Sequence, residues 1–364
     1  MARPLTRRER LERAYTHQEM DQPGVYVRTS FPREDPTYDA LKAYLARHSE
    51  LKGHWGSNGV QEPYATETFT EPISATTERR VTVLHTPAGD LRWSLQANLD
   101  LREEVDDEPM IKSIQDARTY LSLPAPKMRG DASRFFQMRQ ELGDTGLPEV
   151  GLGLNPAGRV AWMCGSENFA LFSATDRDVI HELCRREMEV LLARVRHVLA
   201  QGAGPYWGTL GQEYIVPPLH GPRDYQDFNV RYDKPVFDLI HEAGGRIHVH
   251  CHGRVKAVFQ HFLEEGIDVL HPIEPPPMGD ITAGQAKAMA GRRMTLEGNI
   301  QIADMYEKSP GDIRRHTESL IADAFADRQG LIVCPTASPY MRGKGMECFP
   351  RFKAMIDAVL EWRE

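Results

Sequence analysis

Three histidines alternate along the stretch GGRIHVHCHG, residues 244–253, where a Gly-Gly pair precedes a short apolar run. Side chains on a β-strand alternate between its two faces, so His248, His250 and His252 share one face and Cys251 takes the other. A His-x-His pair at the end of a strand binds a metal with little further ordering, since neutral imidazole is the commonest metal ligand in proteins. The alternative is a polar strand end whose histidines only form hydrogen bonds.

Other potential metal donors follow apolar runs elsewhere in the chain. Glu274 lies 22 residues after His252, and Cys334 ends the apolar run 331–334. Glu274 could instead be a solvated loop carboxylate, and Cys334 could be a small buried hydrophobic residue. Two imidazoles, a carboxylate and a thiolate suit zinc or another divalent transition metal better than magnesium or calcium, which prefer oxygen. The sequence therefore predicts a metal site at His250, His252, Glu274 and Cys334.

Three further polar residues follow predicted strands and are candidates for catalysis. Arg28 ends the first apolar run, Glu213 follows the run 206–210, and His271 ends the run 267–271. A carboxylate and an imidazole near a metal are suited to moving protons. The alternatives are that Glu213 caps a helix and that His271 is a core residue.

Eight apolar runs, separated mostly by helical patterns, position these residues. They are 23–28, 148–154, 160–163, 206–210, 246–251, 267–271, 293–297 and 331–334. Strands that alternate with helices are parallel, and eight of them favour a closed (β/α)₈ TIM barrel, with an open doubly wound sheet as the alternative. In a barrel the chemistry collects at the carboxyl ends of the strands, where the candidate residues lie. The segment 79–97 alternates around the turn TPAGD and predicts a β-hairpin.

Composition narrows the class of protein. We expect residues 1–364 to form a single barrel domain, with 30–145 largely building its mouth. The 44 Lys and Arg against 52 Asp and Glu give a net charge of −8, which argues against nucleic-acid binding. The chain contains no run of 18 apolar residues and starts with a charged helical segment, so we expect neither membrane insertion nor secretion. Five scattered cysteines are typical of reduced thiols, and we expect a cytoplasmic location.

Several of these motifs together resemble the uroporphyrinogen decarboxylase superfamily. That superfamily also includes cobalamin-independent methionine synthase and the methylcobamide:coenzyme M methyltransferases. The resemblance spans most of the chain, through LTRRERLERAYTHQEMDQPGVYV near the start, the block that ends in RIHVHCHG, the strand ends GIDVLHPIEPPPMGD and LEGNIQ, and CPTASPYMRGKGMECFP near the end. The chain is thus similar to a divergent uroporphyrinogen-decarboxylase-like protein.

The resemblance implies a zinc site with one altered ligand. Zinc-dependent members carry His-x-Cys-Gly after a strand and a second cysteine about eighty residues on. Here His250-x-His252-Gly253 matches the first motif, so His252 replaces the family cysteine. Cys334 lies 82 residues after His252, and Ala337 is the other position that could correspond to the late cysteine. The decarboxylase signature Arg-Gln-Ala-Gly-Arg is missing from VYVRTSFPRED, although Arg28 is kept.

From the resemblance we expect a zinc-dependent methyltransferase or demethylase that acts on a small molecule. A corrinoid or folate would carry the methyl group, and a corrinoid would come on a partner protein, because the chain has no Asp-x-His-x-x-Gly corrinoid motif. Three alternatives remain open. They are a metal-free decarboxylase or lyase that uses the histidines and Glu213 as acid and base, a metal-dependent hydrolase or lyase, and a ligand-binding barrel without catalysis.

Overall fold

The computed structural model describes residues 3–100 and 103–362. Its strands are β1 (Gly24–Val25), β2 (Leu51–Gly56), β3 (Thr66–Pro72), β4 (Thr77–Thr86), β5 (Gly89–Asn98), β6 (Glu103–Glu108), β7 (Gly146–Leu154), β8 (Tyr206–Leu210), β9 (Arg246–His250), β10 (Val269–His271), β11 (Thr295–Ile300) and β12 (Leu331–Pro335).

Helices connect most of the strands. They are α1 (Arg7–Tyr15), α2 (Asp39–His48), α3 (Ile114–Leu121), α4 (Ser133–Leu142), α5 (Pro156–Cys164), α6 (Ser166–Thr175), α7 (Arg177–Ala200), α8 (Pro222–Asp224), α9 (Arg231–Glu242), α10 (Phe259–Glu265), α11 (Ala283–Ala290), α12 (Asp304–Glu307), α13 (Pro310–Ala324) and α14 (Gly345–Leu360). A π-helical turn, Tyr225–Val230, joins α8 to α9.

Eight of the strands form one parallel sheet, in the order β1-β12-β11-β10-β9-β8-β7-β2. This confirms the predicted α/β class and the parallel arrangement. One backbone hydrogen bond connects the two end strands. The N–H of Glu50, directly before β2, donates to the carbonyl of Val25 in β1 at 3.0 Å. The pairings of the described residues include no full ladder between β1 and β2. The single-domain organisation stays a prediction.

The predicted hairpin is confirmed as part of a second sheet. Strands β3, β4, β5 and β6 pair antiparallel in that order, and Thr86 pairs with Gly89 across the β4–β5 turn. This sheet falls inside the segment 30–145 that we expected to build the mouth of the barrel.

The strand predicted at 160–163 is wrong, because these residues lie in helix α5. Asn155 accepts from the backbone N–H of Gly158 and caps this helix, and Pro156 occupies its first turn. A short apolar run does not distinguish a buried strand from a buried helix. The eighth parallel strand is β2, whose sequence LKGHWG is too polar to resemble a buried strand.

Apolar side chains fill the space between the parallel sheet and its helices. Ile247 and Val249 of β9 are fully buried, as are Phe259 and Phe262 of α10. Because strand residues alternate, the histidines of β9 must then point to the opposite, inner face. Among the described residues, no helix is long and apolar enough to cross a membrane.

Candidate active site at the carboxyl ends of the parallel strands

The inner face of the parallel sheet carries charged side chains where such sheets usually pack apolar residues. Lys52 of β2 forms a buried ion pair with Glu297 of β11. The Lys52 ammonium also lies over two aromatic rings, 5.2 Å from the centroid of Tyr15 and 4.9 Å from that of Tyr26. Burial alone would raise the pKa of Glu297, but Lys52 and His248 outweigh it and hold that pKa well below its usual range.

A second buried carboxylate, Glu149 of β7, faces the same interior. Its Oε2 accepts from the Tyr15 hydroxyl at 3.1 Å, and its Oε1 lies 3.3 Å from Nδ1 of His54. Burial raises the pKa of Glu149, but His54 and the other nearby cations lower it to about 2. A Cβ atom at Gly208 would lie 2.3 Å from Glu149 Oε1, so only glycine leaves room for this carboxylate.

At the carboxyl ends of β9 and β10, His250 and His271 are paired in register and their rings stack with centroids 4.9 Å apart. Their Nδ1 atoms are only 2.7 Å apart. Nε2 of His271 lies 3.1 Å from the carbonyl oxygen of Pro335. A carbonyl can only accept, so the proton of a neutral His271 is on Nε2 and its Nδ1 is bare.

The contact with His271 is compatible with one tautomer of His250. A bare Nδ1 on His271 accepts from Nδ1–H of His250, which leaves Nε2 of His250 without a proton. Nη1 of Arg28 lies 3.1 Å from the same Nδ1 of His250, and a guanidinium can only donate, so this nitrogen cannot satisfy both neighbours. Burial, followed by His271 and Arg28, lowers the pKa of His250 far below its usual range, and burial does the same for His271. Both rings are therefore neutral at neutral pH.

His252 is oriented by a carboxylate. Its Nδ1 lies 3.1 Å from Oε1 of Glu274, whose Oε2 accepts from the backbone N–H of Gly253 at 2.9 Å. Burial raises the pKa of Glu274, but the hydrogen bonds from His252 and Gly253 lower it below its ordinary value. The centroids of the His250 and His252 rings are 4.6 Å apart and the rings are nearly perpendicular. A carboxylate that accepts from one ring nitrogen of a histidine leaves the other free to bind a metal.

Glu213 and Cys334 are the remaining predicted site residues. Glu213 is half-buried, and burial raises its pKa although His252 and Arg28 act in the opposite direction. Cys334 is fully buried, and its Sγ lies with ligand atoms of His271 and Glu297 that are all within 4.8 Å of one another. Burial and then Glu297 raise the pKa of the Cys334 thiol well above its usual range.

The model of one protein family matches residues 135–338, and its description is Uroporphyrinogen decarboxylase (URO-D). The match covers more than half of the 364 residues. The chain belongs to the uroporphyrinogen decarboxylase family. The matched segment includes β7 to β12 and every histidine of the candidate site.

One solved structure matches the fold of almost the whole chain. A methyltransferase from Methanosarcina mazei superposes with a TM-score of 0.63 at 13% identity, covering 98% of this chain and 99% of that one. KGPDC from Streptococcus mutans covers 58% of this chain and 86% of its own at 10% identity, and its TM-score of 0.25 is too low to support an argument. No curated protein matches the chain significantly.

In this uroporphyrinogen decarboxylase family member, five of the predicted site residues fall into two contact groups, whereas Glu213 accepts from the backbone N–H of Gly211 at 2.9 Å. Arg28, His250 and His271 form one contact chain, and His252 with Glu274 forms the other. The predicted metal ligand Cys334 groups with His271 and Glu297, and the predicted ligand Glu274 already uses both oxygens for His252 and Gly253. The ligand roles of all four residues stay predictions.

Sequence reasoning missed the charged interior beneath this site. Lys52, His54 and Glu149 were not among the candidates, because β2 was not predicted as a strand and Glu149 lies inside an apolar run. The available signal was the alternation of Lys52 and His54 in LKGHWG, which places both side chains on one face of a strand.

Proposed function

We propose that this protein is a metal-dependent methyltransferase or demethylase of a small molecule, with zinc or another divalent transition metal held by His250 and His252. The tautomer of His250 carries this proposal. In the tautomer that satisfies the shorter contact, the one with His271 at 2.7 Å, Nε2 of His250 is bare, and a bare imidazole nitrogen is the atom that binds a metal.

The donor chemistry around His252 fits the same metal. Glu274 accepts from Nδ1 of His252, which directs Nε2 of that ring away from the carboxylate, and two imidazole donors side by side suit zinc. We assign Glu274 to orienting His252, since both of its oxygens are engaged. Cys334 is the remaining candidate donor, because its Sγ groups with His271, the ring that His250 contacts. When bound, the metal would lower the pKa of a substrate thiol or polarise a substrate oxygen or nitrogen.

Arg28 and Glu213 complete the proposed chemistry. Arg28 and His271 both approach Nδ1 of His250. When this nitrogen donates to His271, the guanidinium of Arg28 can bind an anionic or polar group of the substrate. Burial raises the pKa of Glu213, which lets its carboxyl hold a proton at a higher pH than an exposed glutamate does. We assign proton transfer to Glu213, with His271 holding the tautomer of His250.

The methyl carrier is a corrinoid or a folate in this proposal, and a corrinoid would arrive on a partner protein. We also propose that the parallel sheet closes as a (β/α)₈ barrel, which is supported by the backbone hydrogen bond from Glu50 to Val25 between its two end strands.

Metal-free decarboxylation is a second candidate, and one observation favours it. Arg28 lies beside the neutral imidazole of His250, and a guanidinium next to a neutral acid–base group is suited to holding a carboxylate substrate.

Methyl transfer after metal removal separates these candidates. Protein treated with a chelator should lose methyl transfer from a methylcorrinoid and regain it when zinc is restored. Decarboxylase activity that survives chelation would instead support the metal-free candidate.

A further inference from the structure

A cavity of about 570 Å³ lies between the antiparallel sheet and the ends of β7 and β8. Trp93 of β5 lines it from the antiparallel sheet, and Leu210 lines it from the end of β8. Arg159 of α5 contributes to its wall, as do Glu187 and Arg194 of α7. None of these residues belongs to the site described above.

The cavity adjoins the histidine group through Leu210. Leu210 is the register partner of His250 on the neighbouring strand. Register partners on adjacent strands point their side chains to the same face of a sheet. Leu210 is 38% exposed although it ends a buried strand, so the cavity reaches the strand that pairs with the His250 strand.

One side of the cavity holds the buried guanidinium of Arg194, which forms no hydrogen bond to a carboxylate of residues 3–100 and 103–362. Arg194 is 8% exposed and donates to Asn58 Oδ1 at 2.6 Å, to the Leu152 carbonyl at 3.0 Å and to Gln61 Oε1 at 2.8 Å. All three acceptors are neutral, and its Nε–H has no acceptor. Burial lowers the pKa of Arg194 to about 10, which still leaves it protonated at neutral pH.

A second guanidinium adds to this charge. Arg159 lies 4.7 Å from the centroid of the Trp162 ring and, like Arg194, forms no ion pair within the described residues 3–100 and 103–362. Glu187 is the carboxylate in the cavity wall, and the Tyr120 hydroxyl donates to it at 2.8 Å. Two guanidiniums against one carboxylate leave the cavity net positive, and Trp93 with Leu210 gives it an apolar surface.

We propose that this cavity holds the body of the substrate, an organic anion with a flat apolar part and a carboxylate or similar anionic group. The guanidiniums of Arg159 and Arg194 bind the anion, since hydrogen bonds between charged groups are stronger in a partly buried site. Trp93 and Leu210 contact the apolar part and direct it toward His250. That the bound anion is the substrate rests on the proposed function, whereas the binding of an organic anion in this cavity does not.

Calorimetry with two probes of equal shape tests the proposal. 2-Naphthoate is an anion, and 2-naphthamide is its neutral counterpart. Wild-type protein should bind 2-naphthoate at least about tenfold more tightly than 2-naphthamide. Arg159→Gln should remove most of that preference, and Leu210→Trp should prevent binding by filling the cavity.

Arg139→Gln is the matched control, because Arg139 lies 5.1 Å from the centroid of the Phe136 ring, away from the cavity lining. It should leave the binding of 2-naphthoate unchanged. Equal affinities for the two probes, no binding by wild type, or binding that survives both cavity substitutions would overturn the proposal.

Zinc content measured on the same samples distinguishes this inference from the proposed function. If the protein contains no metal as purified and still prefers 2-naphthoate, the cavity assignment stands and the proposed metal site is contradicted. Zinc-loaded protein without the preference would contradict the cavity assignment alone.

Discussion

Nδ1 of His250 lies 2.7 Å from Nδ1 of His271, on two parallel strands that are paired in register. Because the single proton of neutral His271 goes to the Pro335 carbonyl, this contact is a hydrogen bond when Nδ1 of His250 carries a proton and its Nε2 a lone pair. His271 is fully buried, and through this contact it orients the ring of His250 at the carboxyl end of β9.

Glu274→Gln should weaken zinc binding by about 10- to 100-fold, since a carboxylate that orients a metal-binding histidine is typically worth that much. Competition with a chromophoric chelator measures the affinity. Asp280→Asn is the control, because Asp280 accepts from the Lys256 backbone N–H in the same segment and does not touch His252. Equal affinity in both variants would show that Glu274 does not orient a ligand.

Cys334→Ser tests the third proposed donor. If Cys334 binds the metal, its replacement should weaken zinc binding by about tenfold or more, because a soft thiolate favours zinc over harder ions. The same chelator competition measures this. Affinity equal to that of wild type would assign Cys334 to the core and leave the histidines as the donors.

Lys52→Met should destabilise the protein by about 3–5 kcal/mol, because it removes the ammonium partner of the fully buried Glu297 carboxylate. Urea unfolding measures the change. Lys42→Met removes an exposed pair with Asp39 and should change the free energy of unfolding by less than about 0.5 kcal/mol. Similar losses in the two variants would contradict a charged interior held by Lys52.

The metal-free protein should lose stability in mild acid. The pKa of His271 lies well below its ordinary value of 6.5, chiefly because of burial, so below that pH the unfolded chain binds more protons than the folded one. The free energy of unfolding is therefore fully retained above pH 6.5 and falls below it, by about 1.4 kcal/mol per pH unit for each such histidine.

Urea unfolding between pH 7 and pH 5 follows this loss. His271→Gln should make the dependence on pH shallower, whereas His85→Gln, at an exposed position on β4, should keep it steep. A pH dependence that is unchanged in His271→Gln would mean that His271 is not held neutral by the fold.

The sequence allowed the parallel α/β class, the hairpin and the His-x-His strand end to be predicted, because each depends on local alternation. The contact between His250 and His271 joins two strands and could not be read from spacing. Strand β2 escaped prediction because Lys52 forms a buried ion pair and His54 is exposed, so the strand lacks the apolar pattern of a buried strand. The run 160–163 was assigned as a strand because its apolar residues fit a buried helix equally well.

Elemental analysis of protein purified without added metal tests the central claim most directly. Wild type should contain about one zinc or other divalent transition metal per chain, and His250→Ala and His252→Ala should each lose it while remaining folded by circular dichroism. Wild-type protein that contains less than about a tenth of an equivalent would contradict a metal site at these histidines.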